Sequence, residues 1–75
     1  MNTFEITNHI RTLRFFANEM TQHELAKMTG VSRQTINAIE SGKYSPSLEL
    51  AGRIAHAFGV TLDEVFVYTV KEVKP

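Results

Sequence analysis

Apolar residues recur at helical spacing in five stretches of this chain, and the two ends are instead rich in β-branched and aromatic residues. The first stretch, about Asn8 to Asn18, sets Ile10, Leu13 and Ala17 on one face with Phe16 beside them. Two short helices with a tight turn between them follow in Gln22 to Ser41, QHELAKMTGVSRQTINAIES. A fourth helix, about Ser47 to Phe58, turns Leu48, Ala51, Ile54, Ala55 and Phe58 inward and ends at Gly59. The fifth opens at Thr61 and puts Leu62, Val65 and Phe66 on the core.

Local signals fix the middle of the chain best. Thr21 with Glu24 reads as a capping box, and Ser32 as the N-cap of the next helix. Leu25 and Ala26 give the first helix of the pair its apolar face, Ala26 being small enough to let the second approach. Gly30 stands at the turn, where a positive φ carries no Cβ penalty, and Val31 fills the space beneath it. At about 100° per residue, Arg33, Gln34, Asn37 and Ser41 share one polar arc nearly opposite Ile36 and Ile39. An amphipathic split alone says little. Joined to the small residue, the turn glycine and the two caps, it describes a helix-turn-helix unit at 22–41, a shape that suits the DNA major groove.

After Gly42 the segment Lys43-Tyr44-Ser45-Pro46-Ser47 reads as a loop, with Pro46 placed to open a helix. The ends, 3–7 and 67–73, are expected to be strands that pair antiparallel with each other. A two-stranded ribbon is marginal alone, and its free edge offers a second subunit a place to add its own. The other reading of these ends is a frayed tail.

Composition narrows the class. The chain has 75 residues, eight basic and eight acidic, with zero formal charge and no cysteine. That fits one domain, 1–75, without a disulfide framework or a thiolate metal site. The opening MNTFEITN has neither a basic nor an apolar signal region, and no apolar run approaches a membrane span. A cytoplasmic protein with no membrane association is expected. Neutrality counts against strong non-specific binding of polyanions. Distribution matters more, because Arg33 and Lys43 lie in or just beyond the exposed helix while Asp63, Glu64 and Glu72 lie far along the chain.

From Ile10 to Phe66 the chain resembles the lambda-repressor-like helix-turn-helix family, the Cro/repressor or XRE family of prokaryotes. The matching stretches are IRTLR, TQHELAKMTGVSRQTINAIESGKYSPSLELA, RIAHAFGV and LDEVF. The resemblance implies a mainly α, five-helix domain at 10–66 that binds double-stranded operator DNA as a homodimer and usually represses transcription. Short members with terminal strands look like stand-alone repressors of the cytolysin-repressor type. It further implies that Arg33, Gln34 and Ala38 occupy base-reading positions, with Ser32, Thr35 and Asn37 in support. Subunits are expected to join through helix five and the terminal strands.

Side-chain chemistry is compatible with those roles. Arg forks to O6 and N7 of guanine, and Gln pairs with N6 and N7 of adenine, although Arg33 also has the reach for a phosphate alone. Gln22, in the first turn of its helix, lies where free N–H groups and the helix dipole favour a phosphate oxygen. Thr35, Lys43, Tyr44 and Ser45 are the other phosphate candidates, and Tyr44 fits equally well as a loop anchor. By resemblance Arg14 and Glu40 form a structural ion pair.

The chain departs from the family in two places. One extra residue separates Arg14 from Gln22, and Gly52 stands mid-helix where relatives carry a larger apolar residue. Gly52 either admits the close approach of another element or reflects neutral drift.

No enzyme is expected, since there is no phosphate-cradling glycine loop and no Ser–His–acid arrangement. His9, His23 and His56 fall on three helices, so neither a metal nor another cofactor is expected, nor a small-molecule ligand. The competing function is that of an antitoxin-like or phage regulatory protein whose main role is to bind a protein partner through the ribbon or helix five.

Overall fold

The computed structural model describes residues 2–72. Strand β1 (Asn2–Asn8) leads into α1 (Ile10–Phe16), α2 (Gln22–Thr29), α3 (Arg33–Glu40), α4 (Leu48–Phe58), α5 (Leu62–Val65) and strand β2 (Phe66–Glu72). The five helices enclose a core of Ile10, Leu25, Ala26, Ile36, Ile39, Ile54, Ala55 and Val65. Each of α1 to α5 contributes, so the small core depends on all of them. Among the described residues Thr29 is the buried polar side chain, and its hydroxyl donates to the Leu25 carbonyl at 2.8 Å.

Caps set the helix limits. The Thr21 hydroxyl accepts from Glu24 N–H at 3.0 Å while the Glu24 carboxylate accepts from Thr21 N–H at 3.0 Å. The Thr21 backbone N–H first, and the Thr21 side chain after it, hold the Glu24 carboxyl below the usual carboxylate range. Ser32 and Ser47 accept from the third N–H of α3 and α4. At α5 the Glu64 carboxylate accepts from Thr61 N–H at 3.3 Å, and the Thr61 hydroxyl donates to Asp63 Oδ1 at 2.6 Å. Gly30 ends α2 with φ +77°, a left-handed turn that leads directly to the Ser32 cap.

The first helix is shorter than its apolar pattern predicts. It stops at Phe16, because Asn18 and Glu19 take positive φ values of 59° and 55°. The chain folds back there, and Met20 N–H donates to the Arg14 carbonyl at 2.9 Å. Arg14 and Gln22 are thus joined through a left-handed turn. Phe16, expected beside the core, is instead 76% exposed, and it packs edge-on against Phe15 with centroids 5.4 Å apart.

Leu48 and Leu62 also depart from the pattern. Leu48 opens α4 a turn before Ala51 and stays 76% exposed, beyond the reach of the core; Leu62, first in the short α5, is exposed as well. Both line a groove of about 590 Å³ together with Ile6, Pro46, Phe66 and Tyr68. Phe66 leaves the helix to open β2, yet it remains half-buried against the core. A Cβ built on Gly52 would meet nothing within 4 Å, so no element of this chain approaches it closely.

The terminal segments pair antiparallel, with Asn8 opposite Phe66, Ile6 opposite Tyr68 and Phe4 opposite Val70. Val73, expected to close the second strand, lies outside the described residues. Alternation places Phe4, Ile6, Tyr68 and Val70 on one face and Thr3, Glu5, Thr7, Val67, Thr69 and Lys71 on the other. Phe4 and Tyr68 stack at 5.5 Å on the apolar face, although they are 63% and 62% exposed. The ribbon joins the helical body at its root, where His9 N–H donates to the Val65 carbonyl at 2.8 Å. No helix among the described residues is long and apolar enough to cross a membrane.

Candidate nucleic-acid interface

Helix α3 buries Ile36 and Ile39 and exposes Arg33, Gln34, Asn37 and, at its end, Ser41. Ser32 holds its start, with Oγ accepting from Thr35 N–H at 3.1 Å and sharing a 3.0 Å hydrogen bond with the Thr35 hydroxyl. Thr35 and Ala38 are half-buried on its flanks. The helix therefore offers three long polar side chains on an outward face, while its backbone is fixed at both ends.

The loop after α3 is tied to the helix it follows. Gly42 turns the chain, and the N–H groups of Lys43 and Tyr44 both donate to the Ala38 carbonyl, at 2.9 and 3.2 Å. The Ser41 hydroxyl donates to the same oxygen at 3.2 Å. Lys43, Tyr44 and Ser45 all stay exposed beside the C-terminal end of α3. Tyr44 is 52% exposed and borders a small concavity with Ile6, Ile39, Pro46 and Phe66.

On the opposite flank a polar network joins three helices. Arg14 grips Glu40 with two hydrogen bonds, Nη2 to Oε1 at 2.6 Å and Nε to Oε2 at 3.2 Å. Its third nitrogen donates to the Met20 carbonyl at 2.9 Å, so the same guanidinium steadies the left-handed turn. Gln22 Nε2 donates to Glu40 Oε2 at 3.2 Å, and Gln22 Oε1 accepts from Arg33 Nη1 at 3.5 Å. Glu40 thereby positions the side chain at the start of α2, which in turn meets the first side chain of α3. Such charge-assisted, multiply bonded contacts restrict rotamers more than single neutral hydrogen bonds do.

Two further residues border this surface. Asn8 is the last residue of β1, yet its Nδ2 donates to the carbonyls of Ile39 and Glu40, at 3.0 and 3.4 Å. Its Oδ1 accepts from Ile10 N–H at 3.1 Å, which serves the free start of α1. Arg11 stands exposed on α1 and lines a concavity with Asn8, Gln22, Asn37, Glu40 and Ser41. Only its place one helical turn before Arg14 hinted at this side of the molecule.

Charge is sorted although its sum is zero. Arg14, Arg53 and Lys71 are spent in ion pairs with Glu40, Glu49 and Glu5. Among the described residues that leaves Arg11, Lys27, Arg33 and Lys43 outside any ion pair, and three of these four flank or begin α3. Among the described residues the acids outside any ion pair are Glu19 and Glu24, at the turn before α2 and in its first turn, and Asp63, Glu64 and Glu72, on α5 and β2. Arg33 at the start of α3, with Arg11 and Lys43 near it, thus gives this neighbourhood three cations outside any ion pair.

A family model described as helix-turn-helix matches residues 10–65. An uncharacterised HTH-type transcriptional regulator of Methanocaldococcus jannaschii is 54% identical over 61 residues, which cover 81% of this chain and 91% of that protein. One of Methanothermobacter thermautotrophicus is 55% identical over 49 residues, 64% of this chain and 71% of that protein. A Bacillus subtilis regulator of the same description is 48% identical over 46 residues, 61% of this chain and 70% of that protein.

Proposed function

Since this chain belongs to the XRE-type helix-turn-helix family of transcriptional regulators, we propose that it is a homodimeric repressor that inserts α3 into successive major grooves of a palindromic operator. One observation carries the proposal: α3 shows Arg33, Gln34 and Asn37 on the face opposite Ile36 and Ile39, with both helix ends fixed. Arg33 and Gln34 would read base edges from the first turn, with Asn37, Ala38 and Ser32 bordering them. Gln22, Thr35, Lys43, Tyr44 and Ser45 would hold phosphates on either side of the groove.

The dimer is supported by apolar surface that one chain leaves open. Phe4, Ile6, Tyr68 and Val70 cover one face of a two-stranded ribbon, and Leu48 and Leu62 border the groove at its root. A ribbon of this size gains stability when that face is covered. Operator binding of this kind requires a two-fold pairing that sets the two α3 helices on one side of the duplex, about 34 Å apart.

The same apolar surface fits a protein partner, as in the antitoxin-like reading, so the deciding experiment addresses DNA first. Selection from a randomised duplex pool at near-physiological salt should enrich a palindrome with half-sites about ten base pairs apart. A pool that stays random, with the protein co-purifying in fixed ratio with another chain, would overturn the proposal in favour of partner binding.

A further inference from the structure

We infer that the Phe15–Phe16 pair at the end of α1 is a knob that enters the groove between α2 and α4 of a second copy, joining one dimer to the next; this rests on the dimer proposed above. Both rings stand mostly exposed and meet edge-on, with centroids 5.4 Å apart. The groove measures about 510 Å³ and is lined by Met28, Glu49, Gly52, Arg53, His56 and Ala57. A cavity of about 150 Å³ holds a benzene molecule, so there is room for both rings. Gly52 keeps that room open, since a Cβ built on it meets nothing within 4 Å.

Knob and groove hold what the other surfaces leave over. Among the described residues, the exposed large apolar side chains Phe4, Ile6, Leu48, Leu62, Tyr68 and Val70 belong to the ribbon and the groove at its root, and Tyr44 to the loop after α3. Those that remain are Phe15, Phe16 and Met28, two on the knob and one in the groove. Charge divides in the same way. With Arg11, Arg33 and Lys43 near α3, the other cation outside any ion pair is Lys27, next to Met28. Glu19, in the left-handed turn that follows Phe16, is an acid outside any ion pair. Knob and groove thus carry opposite charges at their edges. Within the groove, Glu49 is met by Arg53 at 2.8 Å, and the same guanidinium donates to the Thr29 carbonyl at 3.4 Å. Its flat face, so held, is one on which an aromatic ring stacks favourably. The two patches are different surfaces, so their contact is heterologous and extends from dimer to dimer.

Sedimentation velocity of the full chain, from micromolar to millimolar, tests this. The wild type should pass from dimers to larger species as concentration rises. Phe15→Ser combined with Phe16→Ser, or Gly52→Leu, which fills the groove, should weaken that step about tenfold or more while melting stays cooperative. Glu19→Lys and Lys27→Glu should each weaken it about fivefold. The two together should recover, because the opposite charges are then restored in reverse. Phe4→Ser, on the ribbon, should weaken the dimer instead. A wild type that stops at the dimer, larger species that survive in the folded Phe15 and Phe16 double variant, or charge reversals whose losses add would overturn the knob and leave the dimer standing. Wild-type monomers that build larger species, lost in that double variant but not in Phe4→Ser, would overturn the ribbon dimer and keep the knob.

Discussion

The Asn8 side-chain amide donates to the Ile39 carbonyl at 3.0 Å, which fastens the end of the ribbon to the last turn of α3. The two residues are 31 positions apart. Their contact ties the element proposed to join subunits directly to the helix proposed to read DNA. Any displacement of the ribbon root would therefore be felt at the C-terminal end of α3.

Asn8→Asp tests that tie. Aspartate keeps an acceptor for Ile10 N–H but loses the donor and sets a negative charge against the carbonyl end of α3. A loss of about 1–3 kcal/mol is expected, read as a lower melting temperature. Asn8→Asp melting with the wild type would show that the tie adds nothing to stability.

Arg14 is the second test. Removing it by Arg14→Ala strands Glu40, whose side chain is only 12% exposed, and should destabilise the fold by about 2 kcal/mol. Adding Glu40→Gln should recover part of the loss, since the stranded charge is then gone. Denaturant melts of the single and double variants measure both effects, and additive losses would mean that the pair is not coupled.

Gly52→Ala should stabilise the protein by about 1 kcal/mol, because alanine favours a helix interior and its Cβ would meet open space. For a domain of this size that is a rise of roughly 4–8 °C in Tm. A fall in Tm or in dimer affinity would indicate that a second subunit packs against this position.

Much of this architecture was written in local sequence signals. The Thr21–Glu24 box, Gly30 and Ser32 delimit α2 and α3 without help from the rest of the chain. The end of α1 was not legible, because the left-handed turn falls on Asn18 and Glu19 and not on glycine; of the two, only asparagine visits that region readily. Leu48 has the right angular position on α4 yet lies a turn outside the packed layer, which periodicity alone does not register. Asn8 and Arg11 reach the α3 surface only through tertiary folding.

The ribbon face is open to a direct test. Phe4→Ser and Tyr68→Ser each remove a stacked ring from the apolar face. Each should weaken dimerisation by about 2 kcal/mol, roughly 30-fold, and leave helical content unchanged. Sedimentation velocity across a dilution series reads the shift. A dimer indifferent to both substitutions would place the subunit contact elsewhere.

The claim that α3 reads bases is tested most directly by repeating the duplex selection with Arg33→Ala. The same palindrome is expected, with one base pair relaxed in each half-site and affinity reduced by about 1–3 kcal/mol. An unaltered motif with all sequences weakened alike would contradict it and reduce Arg33 to a phosphate contact.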